Sequence, residues 1–392
     1  MIGLSLAACT AAFGGGLTIP SGISAKALGM DGAFTAIADD GSAAYYNAAG
    51  WAWDEESFVQ IGGDYLQTAF GYDLPQGAGI RGSEEMPLPV CALKLRLNER
   101  WVTGFSVYPA AGLGVDFPAN HLRGLRYEKS RLTLGNFTPL VAYQLSEKLA
   151  VGAGLDFGLL SELEYRAPLH QIGRAVFENI GLKVRGQGHG LGYRLGLQWR
   201  PSDKLWFGLS YAAPIDVKFH GQTDVAVLGL RLMQSRFKTA VPFPGNISVG
   251  VAWQATERLK LACDFKYYLA AIDEVKFDFA HLPTIRQRFD WDDNFSAHFG
   301  GEYQDRSGRF IRAGVACLSP AVPETTQNPI IPDGHGYSVT FGVGRQWENV
   351  RVDLAFSHAW FDREINAAWH HLAPGDYQAA VDTTSLSVCY LF

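Results

Sequence analysis

The sequence predicts an all-β fold, a transmembrane antiparallel β-barrel of about fourteen strands whose N-terminal segment folds into the lumen as a plug. Three observations carry this. Period-two alternation of apolar with small or polar residues recurs along most of the 392 residues. The links between the alternating runs are by turns short and long, as in barrels with short turns on one side of a membrane and long loops on the other. Charged residues make up only 18% of the chain, while aromatics reach 13% and glycines number 44. That charge content lies below the roughly 25% of soluble domains and leaves a large outer surface to be covered by apolar side chains.

Residues 1–12 read as the tail of an export signal, apolar from Ile2 to Ala8 and then small, without a positive start; Cys9 also resembles a lipoprotein cleavage site. Residues 13–56 precede the first strand, are rich in Gly, Ala and Ser, and carry a possible short helix around 25–30. A barrel wider than about eight strands leaves a lumen that something must fill, so this segment is expected inside it. Residues 57–392 form the barrel. In 149–159 every odd residue is apolar; Tyr193, Leu195, Leu197 and Trp199 alternate with Arg194, Gly196 and Gln198; Leu259 to Tyr267 alternate with Lys260, Ala262, Asp264 and Lys266. Charges on the inner face suit a wet lumen. The expected strands are 57–70, 88–97, 101–110, 131–144, 148–165, 182–199, 204–221, 244–254, 258–279, 290–304, 309–318, 335–347, 350–361 and 382–392. Short turns separate six pairs of them, and long links fall at 71–87, 111–130, 166–181, 222–243, 280–289, 319–334 and 362–381. The chain ends in one apolar face, Leu386, Val388, Tyr390 and Phe392, and a terminal phenylalanine of this kind resembles the signal read by the outer-membrane assembly machinery.

Several function classes recede. No apolar run of about eighteen residues exists to form a membrane helix, and mean hydropathy is close to zero. A net charge of −6 gives no basic footprint for nucleic acid. The five cysteines, Cys9, Cys91, Cys263, Cys317 and Cys389, form no CxxC pair and read as small apolar side chains. None of the ten histidines sits in a GxSxG or HExxH context, and the pair His370 and His371 reads as solvated, so no catalytic residue, metal or cofactor is expected.

The runs GISAKALGMDGAF at 22–34 and ADDGSAAYYN at 38–47, holding Gly29, Phe34, Asp39, Asp40 and Asn47 and followed by Gly50, resemble the plug of the FadL/TodX family of outer-membrane transport proteins. PGNISVGVAW at 244–253, with Leu259, Leu261 and Asp264, is similar to that family's central hairpin. FSAHFGGEY at 295–303, Arg312 to Gly314, and NPIIPDG at 328–334 resemble its later strands and loop. One departure stands at Ala48, where the family usually has proline after the asparagine; losing it frees a backbone N–H and a fixed φ, so the turn is expected to be looser.

The resemblance implies passive uptake of long-chain fatty acids or other small hydrophobic compounds. Extracellular loops would capture the molecule, the plug would move, and exit would be sideways through the wall into outer-membrane lipid and lipopolysaccharide. Val225, Val227, Leu228, Leu230, Leu232 and Met233 crowd apolar side chains into one expected loop, and Ile172, Val176, Phe177 and Ile180 into another. Such patches are either a landing groove for an apolar ligand or two loops packed on each other. In the family a kinked third strand forms the opening. Here Pro109, Gly112 and Gly114 interrupt that strand, which either kinks to leave a hole or simply ends in a loop. An assembly scaffold, a diffusion porin and a lipid hydrolase on the same barrel remain as alternatives.

Overall fold

The computed structural model describes residues 23–75, 77, 79–117, 129–168, 171–172, 175–176, 180–227, 230–327, 333–366 and 374–392. Among them, fourteen antiparallel strands close into a barrel. They are β1 (Phe58–Asp73), β2 (Gly79–Arg96), β3 (Trp101–Asp116), β4 (Lys129–Ser146), β5 (Leu149–Pro168), β6 (Ile180–Ser202), β7 (Leu205–Ala212 and Ile215–Val227), β8 (Leu230–Phe243 and Gly245–Gln254), β9 (Leu259–Leu269 and Ile272–Phe279), β10 (Ile285–Trp291 and Asn294–Gln304), β11 (Arg309–Leu318), β12 (His335–Trp347), β13 (Val350–Ile365) and β14 (Gly375–Leu391). Closure is made by β1 against β14, in register from Phe58 opposite Leu391 to Asp73 opposite Asp376. A closed sheet leaves no unpaired edge in lipid.

Toward the short turns, the outward positions are apolar and well exposed: Leu155, Leu191, Leu195, Val249, Phe299 and Phe341. Aromatic rings mark two levels. Trp199 and Tyr193 both face outward on β6; six residues apart, they are separated by about 20 Å at about 3.3 Å per residue. That approaches the roughly 25 Å apolar band of an outer-membrane barrel with an aromatic girdle at each rim.

Farther from the turns the alternation keeps its geometry but reverses its chemistry. Leu182 and Val184 point inward on β6, and so do Val217 and Phe219 on β7 and Phe237 and Val241 on β8. Their neighbours Lys183, Arg185, Lys218, His220, Arg236 and Lys238 point outward. This part of the barrel stands in water like a soluble sheet, with a continuous apolar core that also takes in Tyr72, Phe277, Trp291 and Tyr377.

The reversal corrects the expected link lengths. Residues 222–227 and 230–243 are paired strands rather than loop, with Thr223 opposite Ser235 and Val225 opposite Met233. Likewise β2 begins at Gly79, β10 at Ile285 and β14 at Gly375, so strand takes up 79–87, 285–289 and 375–381 of the expected long links. Charged outward residues in these stretches resemble loop composition, although the period of two is intact.

Among the described residues, Ile23 to Ala52 form two short helices, α1 (Ala25–Leu28) and α2 (Ala43–Tyr46), and a 3-10 helix (Ala48–Ala52), nearly all buried within the barrel. Inward polar side chains of the wall satisfy this segment's backbone. Asp264 accepts from the N–H groups of Phe34 and Thr35 at 3.0 and 2.8 Å. Lys266 donates to the Gly32 carbonyl at 3.0 Å, and Gln198 to that of Thr35 at 3.1 Å. The inner charges expected to face water therefore face the segment. Below α1 lies an ion cluster: Lys26 with Asp39 at 2.6 Å, Arg312 with Glu302 and Asp353 at 2.7 and 2.8 Å, and Arg351 with Asp353 at 2.8 Å.

Candidate functional site

Pairing between β2 and β3 stops early. The two strands are in register only from Arg96 opposite Val102 to Cys91 opposite Val107, although both continue well beyond. Pro87 and Pro89 on β2 and Pro109 on β3 lie on either side of the unpaired stretch, where none can donate a ladder hydrogen bond. On its other side β3 bulges between Pro109 and Ala111 against β4, and the register slips again between Gly158 and Ser161 of β5 against β6. The wall is interrupted here.

A cavity of about 790 Å³ occupies this place. Inward residues line its depth, among them Leu66, Met86, Leu134, Ile215 and Phe243, while Pro87, Leu160 and His189 from the outer face line its mouth. Leu160 is 65% exposed. The lining thus runs from the lumen through the wall to the lipid side, chiefly apolar, in the manner of a small-molecule site.

Its floor is polar and built around a buried ion pair. Arg194 donates through Nε to Asp156 at 2.6 Å and through Nη1 to the carbonyl of Tyr45, in α2, at 2.9 Å. Thr138 and Tyr108 donate to the same Asp156 carboxylate at 2.6 and 3.2 Å, and the guanidinium lies over the rings of both Tyr45 and Tyr108. A buried cation held this completely binds wall to segment. Sequence reading passed over Arg194 and Asp156 because each looked like one polar step in an alternation; their meeting across β5 and β6 depends on register.

Of the residues expected at a lateral opening, Pro109 and Gly112 line the cavity; Gly114 sits one step beyond it, against the Glu84 side chain. Of the expected ligand-binding residues, Met233 lies on β8 away from the cavity lining. Leu228 and Phe177 fall outside the described residues, and the side chains of Val227, Leu230, Ile172 and Val176 are likewise not described.

The motif residues of the N-terminal segment converge. Asn47 caps the 3-10 helix by accepting from the Ala49 N–H at 3.1 Å and donates to the Thr35 and Leu197 carbonyls at 3.0 Å each. With Ala48 only 3% exposed, this turn is packed rather than loose, its asparagine supplying a restraint where the ring is missing. Gly50 admits no side chain, since a Cβ there would lie 2.1 Å from the Ala38 carbonyl oxygen, and one at Gly29 would lie 3.1 Å from the Gly342 Cα. Phe34 is fully buried, Asp39 pairs with Lys26, and Asp40 accepts from the Ser42 hydroxyl at 2.6 Å.

Burial pushes the Asp31 carboxyl up to about 6, with the Ser338 hydroxyl bond at 2.7 Å and the charge of Lys266 opposing. Beside it Ser296 and His298 share a hydrogen bond of 2.8 Å, but the other ring nitrogen of His298 meets the Asp31 carbonyl at 2.6 Å. The pair supports the Asp31 turn. Among the described residues no cluster of three or more His, Cys, Asp or Glu is placed to hold a metal.

Comparison with known proteins agrees with this architecture. A 47 kDa outer membrane protein of Pasteurella multocida (strain Pm70) is 23% identical over 395 residues, spanning 91% of this chain and 89% of its own length. A putative outer membrane protein of Neisseria meningitidis serogroup B is 21% identical over 401 residues, spanning 86% and 84%. The crystal structure of a Pseudomonas aeruginosa FadL homologue superposes with a TM-score of 0.80 at 18% identity, covering 94% of this chain and 98% of that one. That of the Ralstonia pickettii toluene transporter TbuX gives 0.74 at 17% identity, covering 93% and 97%. A family model described as outer membrane protein transport protein (OMPP1/FadL/TodX) matches residues 5–392, so the chain belongs to that family and is a protein of the bacterial outer membrane.

Proposed function

We propose that the protein carries small hydrophobic molecules, long-chain fatty acids or hydrocarbons, from the cell surface into the outer membrane by way of the cavity and the gap between β2 and β3. The observation behind this reading is the lining itself, which is mostly apolar and passes from the lumen to the lipid face where ladder pairing is absent. The toluene transporter TbuX has the same fold, which favours a cargo of this chemistry. Residues 13–56 act as the plug, of which 23–56 are described, and the cavity rests on it through Tyr45. A buried chain gains roughly 0.8 kcal/mol per methylene, so release requires the site to change shape. The plug is held to the wall by a few side-chain hydrogen bonds rather than by a continuous strand ladder, and its displacement at Tyr45 would open the floor. Capture by the hairpin around Val227, Leu230 and Met233 and the strand pair Gln171–Ile172 and Ala175–Val176, and insertion through the Phe392 end, belong to the same proposal.

The test is uptake of a labelled fatty acid and of toluene by a host lacking its own transporter, with and without Gly112→Trp. Loss of uptake with normal surface assembly is expected. Normal uptake would refute the lateral route.

A further inference from the structure

We propose that the outer face of β6, β7 and β8, just above the apolar belt, binds the phosphate groups of the glycolipid in the outer leaflet. The register builds three adjacent rows there. His189 lies opposite Lys218; Gln187, His220 and Lys238 form the next row; Arg185, Gln222 and Arg236 the third. All these side chains except Gln187 and Gln222 are basic or imidazole, and all are exposed.

Three of the cations lack a counter-charge. Arg185 pairs with Glu164 at 3.1 Å, but among the described residues Lys218, Arg236 and Lys238 have no carboxylate within ion-pair distance. The nearest register neighbour, Asp278 opposite Lys238, is engaged by Lys276 at 3.2 Å, and Asp216 stands two residues below Lys218 on the same face. Placing His220 directly opposite Lys238 is unfavourable when the ring is charged, because like charges across a strand pair repel. An anion from outside removes that penalty.

Height selects the anion. Leu191, 63% exposed, is the uppermost large apolar side chain on the outward face of β6 among the described residues, and His189 follows two residues on. The first row therefore lies about 7 Å beyond the apolar belt at about 3.3 Å per residue, where headgroup phosphates sit, and the other two rows follow at like steps. On the far side of the barrel carboxylates cluster instead: Glu364 is opposite Asp376, and Asp376 opposite Asp73, of which Asp73 is paired by Arg81 at 2.8 Å. In a chain of net charge −6, cations without partners gathered on one arc and carboxylates on the other give the rim a polarity that the fold does not need. Phosphate contacts by Lys and Arg are short-range and screened by salt.

Retention of lipid by the purified full chain in mild detergent tests this, read by native mass spectrometry with bis-phosphorylated lipid A, its dephosphorylated counterpart and phosphatidylglycerol as probes. Wild type should retain phosphorylated lipid A, and Lys218→Gln/Arg236→Gln/Lys238→Gln should retain at least tenfold less while keeping heat-resistant barrel migration. The control Lys276→Gln/Arg286→Gln, whose cations are paired with carboxylates, should match wild type. Equal retention by the triple variant overturns the site. Equal retention of dephosphorylated lipid A overturns the phosphate, and equal retention of phosphatidylglycerol overturns the glycolipid. Because the readout is lipid bound and not cargo moved, it stands or falls apart from the transport route.

Discussion

Asp264 accepts the backbone N–H of Thr35 at 2.8 Å with the same carboxylate oxygen that takes Phe34. One side chain of β9 thereby satisfies two consecutive donors of the lumenal segment. Asp264→Ala should strand both and cost about 1–3 kcal/mol each where water cannot reach. Hydrogen exchange at 33–36 should accelerate and single-channel conductance rise, with the barrel itself intact. Unchanged exchange there would show that the bonds do not hold the segment.

Arg194 and Asp156 form a buried pair, and removing one partner leaves an uncompensated charge. Arg194→Met should therefore cost about 3–5 kcal/mol, while Arg194→Met with Asp156→Leu should recover much of that loss. Urea unfolding in detergent measures both. If the double variant is no more stable than the single, the pair is not the unit.

Asp31 gives the segment a pH dependence. Burial raises its carboxyl from the ordinary 3.8 to about 6, so the native state holds the proton more tightly. Its contribution to docking is full below pH 4 and is lost as pH rises through 6. Conductance should increase across that window in wild type, and Asp31→Asn should flatten the rise. A wild-type profile that falls instead would reverse the sign of this argument.

At the wall gap, a Cβ on Gly112 would meet Leu132 and Thr133 at ordinary contact distances, 3.4 and 3.5 Å, whereas one on Gly114 would lie 2.8 Å from the Glu84 Cγ. Gly112→Trp should accordingly fill the cavity and abolish uptake without disturbing assembly. Gly114→Trp should displace Glu84, which pairs with Arg131, and lower stability as well. Thermal aggregation of the two variants separates these outcomes.

The membrane-facing strands were legible because residues such as Leu191, Tyr193, Leu195 and Leu197 repeat every second position against Gly192, Arg194 and Gly196. The stretch 222–243, where Gln222–Val227 pairs with Leu230–Arg236, reads as a loop because its outward residues include Asp224, Gln234, Arg236 and Lys238. A reader seeking apolar outward faces finds the phase reversed there. Pro109 and Gly112 marked the unpaired stretch of wall from one side only. That Pro87 and Pro89 form its other edge follows from a register that ends at Cys91, which no local pattern encodes. The cavity floor was invisible for the same reason, since Asp156 and Arg194 are 38 residues apart.

The residue at which each strand exchanges its apolar face also sets the depth at which the barrel floats. Sinking by two residues would carry Lys218 into hydrocarbon, where a basic side chain costs about 2–4 kcal/mol at mid-depth and less near the rim. Rising by two would lift Leu191 into water. Leu159, Leu160 and His189 lie at that waterline and also border the cavity mouth, so the opening is moored at the boundary between headgroups and acyl chains. On the proposed lateral route, a molecule leaving there would meet the leaflet at its surface layer and need only turn its long axis to join the chains beside it.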